Sequence, residues 1–176
     1  APDEGVLNVW VRGVGECNER PLTKDRPRGV TSYFWAPGGE RILYTQDKDG
    51  DENWHVFSVD VRTSEVRDLT PFPGVQARIV AVEASHPEEI LVALNKRDPQ
   101  QHDDFHLNLS TGELKLEAEN KGGYLAWTAD RDLRIRAALR LTETGTTELA
   151  VRDTADGSWR MLTSWGADDV LTSGPI

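Results

Sequence analysis

The sequence predicts an all-β protein, a partial β-propeller of four-stranded antiparallel blades with three full blades plus two partial ones. Three observations lead there. A unit of roughly 45 residues occurs three times, with half a unit in front and one strand behind. Within each unit apolar residues alternate with polar ones at period two, the signature of half-buried strands. Apolar spacing of i, i+3, i+4 and i+7 is not sustained over ten positions anywhere.

The register is clearest in the third strand of each unit. Leu7, Val9 and Val11 alternate in the opening half unit, then Phe57, Val59 and Val61, then Phe105, Leu107 and Leu109, then Leu149 and Val151. Steps from Leu7 to Phe57, Phe105 and Leu149 are about 50, 48 and 44 residues, near the period of a propeller blade. First and second strands precede each of these. VTSYFWAPGGERILYT reads as strand, Pro-Gly-Gly turn, strand, and YLAWTADRDLRIRAAL reads the same way, placing Trp127 where Trp35 sits. The middle unit turns at Ser85-His86-Pro87. Fourth strands follow in RTSEVRDLT, STGELKLEAE and TADGSWRMLT, with Thr111-Gly112 and Asp156-Gly157 as hairpin signals. The expected organisation is a partial blade over 1–29, supplying third and fourth strands only. Blades over 30–74, 75–123 and 124–169 follow, and then the first strand of a further blade over 170–176.

A four-stranded sheet of this length cannot bury both faces alone, so blade must stack on blade. Trp35, Trp127, Val80, Val82, Ile90, Val92 and Leu94 are the expected interface residues. The chain of 176 residues is long enough for a sizeable core. A net charge of −10 argues against nucleic acid or an anionic membrane surface as partner, since both need clustered Lys and Arg. One cysteine, Cys17, excludes an internal disulfide and fits a reducing compartment, so the expected location is cytoplasmic. No apolar run approaches the roughly 18 residues of a membrane span. The chain opens Ala1-Pro2, with no signal-peptide pattern, and with partial blades at both ends it reads as a piece of something longer.

Four features invite a chemical reading. The α/β-hydrolase nucleophile elbow needs Gly-x-Ser-x-Gly, and no such sequence occurs, so no residue is read as catalytic and no cofactor is expected. His102 and His106 have the i, i+4 spacing of a zinc helix. Asp103 stands where the zincin Glu belongs, and the repeat puts His106 in a strand, so both are read as exposed loop and edge histidines. Asp47, Asp49 and Asp51 alternate around Gly50 as in a calcium loop. An EF-hand, however, places Gly sixth and Glu twelfth, whereas here Gly50 is fourth and Ser58 twelfth. The main reading is a hairpin whose Asp side chains accept backbone N–H bonds while Gly50 takes positive φ. A weak calcium site and a contact to a neighbouring domain or ligand are the alternatives. Six tryptophans are plentiful, and packing at equivalent buried positions is expected for Trp35 and Trp127 rather than an exposed ligand-binding row.

The stretch from Ser32 to Ile79 carries a W-A-P-G-G strand corner, a D-K-D-G-D-E-N-W-H loop and a D-L-T-P-F-P-G exit. With these elements the chain resembles the N-terminal propeller of prolyl-oligopeptidase-family serine peptidases, of the bacterial acylaminoacyl-peptidase and dipeptidyl-peptidase type. That resemblance implies a propeller capping a separate α/β-hydrolase domain that carries a Ser-Asp-His triad. The propeller itself would be non-catalytic and would limit entry to small peptides. The implied partners are the chain's own downstream catalytic domain and, in the parent enzyme, a peptide substrate. The alternative is a free-standing propeller that presents its loops to a protein partner. Cutting a propeller between blades exposes apolar faces, so self-association is expected. One escape from it is pairing of residues 170–176 with the opening half unit, giving a small closed or domain-swapped ring of roughly four blades.

Overall fold

The computed structural model describes residues 1–26 and 28–166. Every regular element in them is a strand. The opening segment makes two short hairpins, Pro2–Asp3 (β1) with Val6–Leu7 (β2), and Trp10–Val11 (β3) with Arg20–Pro21 (β4). Three four-stranded meanders follow. The first contains Tyr33–Trp35 (β5), Arg41–Gln46 (β6), His55–Asp60 (β7) and Val66–Asp68 (β8). The second contains Ala77–Ala81 (β9), Glu89–Asp98 (β10), Gln101–Asn108 (β11) and Leu114–Ala118 (β12). The third contains Ala126–Ala129 (β13), Ile135–Leu141 (β14), Thr147–Val151 (β15) and Arg160–Trp165 (β16). Each is antiparallel with strands in chain order, the all-β blade architecture expected from the sequence. The expected strand at 170–176, and the ring closure built on it, lie outside the described residues.

The repeat is physical as well as statistical. In the β7–β8 hairpin the Asp60 carboxylate accepts the Arg62 and Thr63 N–H groups, and Ser64 takes φ +61°. Forty-eight positions on, Asn108 accepts the Ser110 and Thr111 N–H groups between β11 and β12, and Gly112 takes φ +76°. An Asx-type turn followed by a left-handed residue closes both hairpins. A second recurring device locks the fourth strand to the third. Leu22 N–H donates to Val9 O while Val9 N–H donates to the Thr23 hydroxyl, and Leu69, Val56 and Thr70 repeat this arrangement. Leu22 and Leu69 are buried by it, which explains the paired Leu-Thr that ends both units.

Both faces of the inner sheets are covered. On one side of the first meander Ile42, Tyr44 and Val59 meet Val9, Leu22 and Val30 of the opening segment. On its other side Leu43, Val56 and Leu69 meet Val75, Ile90, Val92, Leu94 and Leu107 around the second meander. Beyond that, Leu91 and Ala118 meet Leu133, Ile135 and Trp127 of the third. Each fully buried Leu, Ile or Val contributes about 1.5–3 kcal/mol of transfer free energy. The stack therefore holds through side chains that alternate along the inner strands between two neighbours.

Two expectations are corrected here. The opening segment was expected to contribute only third and fourth strands, yet β1 and β2 form a further hairpin ahead of β3. It is held by Ala1 and Asn8, whose backbone groups exchange hydrogen bonds. Trp35, expected to be buried like Trp127, is 53% exposed. It lies opposite Ile42, and Tyr33 opposite Tyr44, so both face the opening segment. That side offers the two-stranded β3–β4 sheet, which covers Ile42, Tyr44 and Val59 and leaves the edge strand β5 in solvent. Trp127 faces the complete second meander and packs there with Val80, Ala81 and Trp159.

Candidate functional site

The β6–β7 hairpin, the exit loop after β8 and the segment after β4 meet around a cleft of about 600 Å³. Asp47 opens the hairpin. Its Oδ2 accepts the Glu52 N–H and the Arg28 guanidinium, both at 3.2–3.3 Å, and its Oδ1 has no hydrogen-bond partner among the described residues. Asp51 accepts the Lys48 and Asn53 N–H groups and the Asn53 side-chain amide. Those bonds, the Asn53 amide foremost, hold its carboxyl below the usual range. Asp49 and Glu52 take φ of 56° and 60°, and Gly50 takes 87°. Such left-handed turns suit Asp, Asn and Gly. The Asp side chains thus shape the hairpin through backbone bonds. Among the described residues, no three His, Cys, Asp or Glu side chains are grouped as metal ligands.

Two further carboxylates reach the cleft from outside the hairpin. Asp68 on β8 meets His55 Nδ1 at 2.7 Å, and Asp25 accepts the Gln46 side-chain amide. Tyr44, Phe57 and His55 stack along the sheet, with ring centroids 5.3 and 6.3 Å apart. Burial, with Asp25 and Asp68 adding, pushes the Tyr44 hydroxyl up to about 12. Phe57, Pro71 and Pro73 supply an apolar wall. The described lining contains no hydroxyl or thiol side chain. Neither Asp25 nor the His55–Asp68 pair stood out in the sequence. The signal available was that Asp68 immediately precedes the repeated Leu-Thr, a position held next to the third strand.

His102 and His106, expected as exposed loop and edge histidines, sit on β11 in the interior of the second meander. His106 is buried, with Nε2 3.2 Å from Glu117 and Nδ1 3.3 Å from Glu89. Burial, with Arg78 adding, pulls the His102 imidazole down to about 4. The correction has a plain cause. Period-two alternation implies one wet face only when a sheet has one neighbour, and β11 has a sheet on each side. The even-numbered face carrying His102, Asp104 and His106 therefore enters the seam with the third meander.

Glu117 organises that seam. It is the extra residue of a bulge, because β12 pairs Leu116 with Phe105 and Ala118 with Asp104. Released from the ladder, its carboxylate meets Arg134 at 2.9 Å, the Ile135 N–H at 3.2 Å, His106, and Arg152 at 3.5 Å. Arg152 donates to Ile135 O and lies over the Trp159 ring. Asp104 is 0% exposed, and neither carboxylate oxygen has a hydrogen-bond partner among the described residues. Burial first, and Glu117 second, push its carboxyl well above the usual range, against an opposing pull from Arg152.

These features define the class of protein: a segment of β-propeller with stacked four-stranded blades, an acidic loop-end cleft and an ionic seam. Solved structures share that fold. TolB from Acinetobacter baumannii matches with a TM-score of 0.56 at 16% identity, over 89% of this chain and 37% of that one. A putative TolB from Agrobacterium tumefaciens matches at 0.55 and 11%, over 92% and 58%. A puromycin hydrolase matches at 0.54 and 13%, over 82% and 23%. At these identities the matches establish a TolB-like fold alone. Sequence relatives are more particular. Dipeptidyl aminopeptidase BIII of Pseudoxanthomonas mexicana is 36% identical over 173 residues, 98% of this chain and 25% of that protein. Dipeptidyl peptidase family member 6 of Caenorhabditis elegans is 29% identical over 146 residues, 78% of this chain and 20% of that protein. The chain is thus a propeller segment homologous to part of the dipeptidyl peptidases, as the resemblance to prolyl-oligopeptidase-type propellers implied. It spans a quarter or less of these curated relatives' length. No protein-family model matches it. No helix among the described residues is long and apolar enough to cross a membrane.

Proposed function

We propose that this chain is the non-catalytic propeller portion of a serine peptidase that hydrolyses short peptides, acting as a cap that restricts access to a catalytic domain elsewhere in the parent protein. The observation that carries this reading is the 36% identity to a dipeptidyl aminopeptidase across nearly the whole chain, while the chain accounts for only a quarter of that relative. The absence of Gly-x-Ser-x-Gly from the sequence agrees with a division of labour, because the nucleophile must then come from another part of the protein. Stacked blades suit a cap: each inner sheet is fixed on two faces, which favours a rigid rim of loops at one end. The boundaries 30–74, 75–123 and 124–169 are proposed as its blades. The test is fluorophosphonate labelling of the full-length gene product, with the 176-residue chain as control. Labelling of the long protein alone supports the proposal, and labelling of neither removes it.

A further inference from the structure

We propose that the outer face of the third meander docks the hairpin turn between the third and fourth strands of a further four-stranded sheet in the parent protein. Arg160 holds the backbone carbonyls of that turn, and Leu162 is buried beneath the sheet. The proposal rests on this chain being part of a longer protein, and not on that protein's being a peptidase.

A recurring motif carries it. Arg-x-Leu-Thr occurs at three fourth strands, as Arg20-Pro21-Leu22-Thr23, Arg67-Asp68-Leu69-Thr70 and Arg160-Met161-Leu162-Thr163. The first two copies show what it does. The Arg20 guanidinium donates to Val61 O, Arg62 O and the Ser64 hydroxyl, all in the β7–β8 turn of the next sheet. Arg67 likewise donates to Ser110 O and Thr111 O in the β11–β12 turn of the sheet after that. The planar fork of a guanidinium suits two neighbouring carbonyl oxygens. Both targets are Asx-type turns, and the guanidinium lies against the left-handed residue of each. That residue is Ser64 in one turn and Gly112 in the other, where a Cβ would stand 3.0 Å from Arg67 Nη2. The motif leucine is then sealed by the same neighbour. Leu22 packs with Ile42 and Val59 of the first meander and is 3% exposed. Leu69 packs with Ile90 and Val92 of the second and is 1% exposed.

The third copy is placed in the same way. Trp127, Ala138 and Ala150 lie opposite one another and face the seam, so the cross-strand pairs Leu139–Leu149 and Ala137–Val151 face away from it. Arg160 lies opposite Val151 on that outward face. Thr163 lies opposite Leu149, as Thr70 lies against Val56. Yet Leu162 is 56% exposed. Among the described residues Arg160 reaches only Asp153 of its own hairpin, at 3.5 Å, with both side chains largely in solvent. Such a pair holds a side chain weakly, so the guanidinium can turn outward. The second meander supplies the contrast. Lys115 stands opposite His106 where Arg67 stands opposite Ser58, and that seam is held by Glu117 with Arg134 and Arg152 instead. The clamp thus accompanies the motif and is replaced where the motif is missing. The partner is accordingly a turn opened by Asp or Asn, with Gly, Ser or Asn at its left-handed position.

The test introduces a thiol by Leu162→Cys in a Cys17→Ser background, in the 176-residue chain and in the full-length gene product. Alkylation at that position is followed by peptide mass spectrometry. It should be fast in the 176-residue chain at every protein concentration, and about tenfold or more slower in the full-length protein. In the full-length protein Arg160→Ala should speed the alkylation and lower the urea midpoint. Arg160→Lys, which keeps the charge beside Asp153 but not the fork, should do most of the same. In the 176-residue chain neither Arg160 variant should move the midpoint, whereas Arg67→Ala should lower it in both proteins. Equal alkylation in the two proteins overturns the proposal, and so does an Arg160→Lys full-length protein that behaves like the unsubstituted one. Alkylation of the 176-residue chain that slows with rising concentration also overturns it, in favour of a second copy as the occupant. Should the Leu162→Cys protein not fold, amide exchange across residues 160–165 of the unsubstituted proteins decides the matter. Slower exchange in the full-length protein supports the proposal, and equal exchange overturns it. None of these readouts depends on fluorophosphonate labelling, so the failure of the peptidase reading would be seen separately.

Discussion

Replacing Asp104 with asparagine is expected to remove a pH-dependent loss of stability that the seam between the second and third meanders builds into the fold. Asp104 is completely buried and has no hydrogen-bond donor on either oxygen, with Glu117 nearby and Arg152 as the opposing charge. Its folded pKa is raised above the unfolded value near 3.9. Below that unfolded value both states are protonated, and the contribution of the group is fully present. As pH rises, the unfolded chain releases its proton first, so stability falls by about 1.4 kcal/mol per pH unit until the folded pKa is passed. The amide of Asp104→Asn cannot ionise, so the variant lacks this slope. Urea denaturation of parent and variant from mildly acidic to mildly alkaline pH isolates the effect, because other titrating groups cancel in the difference. The variant should gain on the parent steadily as pH rises. Asp104→Leu should gain a further increment of about 1–3 kcal/mol, by removing an unsatisfied polar group of similar volume. A parent-minus-variant difference that stays constant with pH would refute the reasoning, and would mean that the carboxylate is paired in solution.

Further predictions concern the same seam and the two equivalent tryptophans. Glu117→Ala leaves Arg134, Arg152 and the Ile135 N–H without their shared acceptor and should cost about 3–5 kcal/mol in denaturant unfolding. His102, whose folded pKa is depressed to about 4, should make the protein less stable as pH falls from about 6.5 toward 4, because only the unfolded chain takes up the proton. His102→Gln should flatten that acid limb in a pH series of thermal unfolding. Trp127→Ala should cost about 3–5 kcal/mol, because the ring packs in the seam and its Nε1 donates to His102 O. Trp35→Ala, at the equivalent repeat position but half in solvent, should cost clearly less, a contrast that parallel melts of the two variants would show.

How far the cleft could be read in advance depends on where its residues lie along the chain. Asp47, Asp49, Gly50 and Asp51 are contiguous, so their hairpin was legible from turn chemistry alone. Asp25 arrives from a separate segment, and only docking the opening segment against the first meander brings it beside Gln46, whereas Asp68 meets His55 through the pairing of β8 with β7. The seam was harder still. A polar residue alternating with apolar ones reads as solvent-facing, and His102, Asp104 and His106 followed that pattern while being enclosed by a second sheet.

Local chemistry in the sequence determined the all-β class, the strand-turn order, the repeat length and the segments that become first, second, third and fourth strands. Period-two alternation, Asx turns and left-handed glycines act over a few residues and need no neighbour to be recognised. Tertiary structure alone decided which strand faces are dry. Trp35 and Trp127 share a motif and a register yet differ in exposure, because one faces a two-stranded sheet and the other a complete meander. Burial is a property of what stacks on a surface, and the partner sheet is encoded dozens of residues away from the residue it covers.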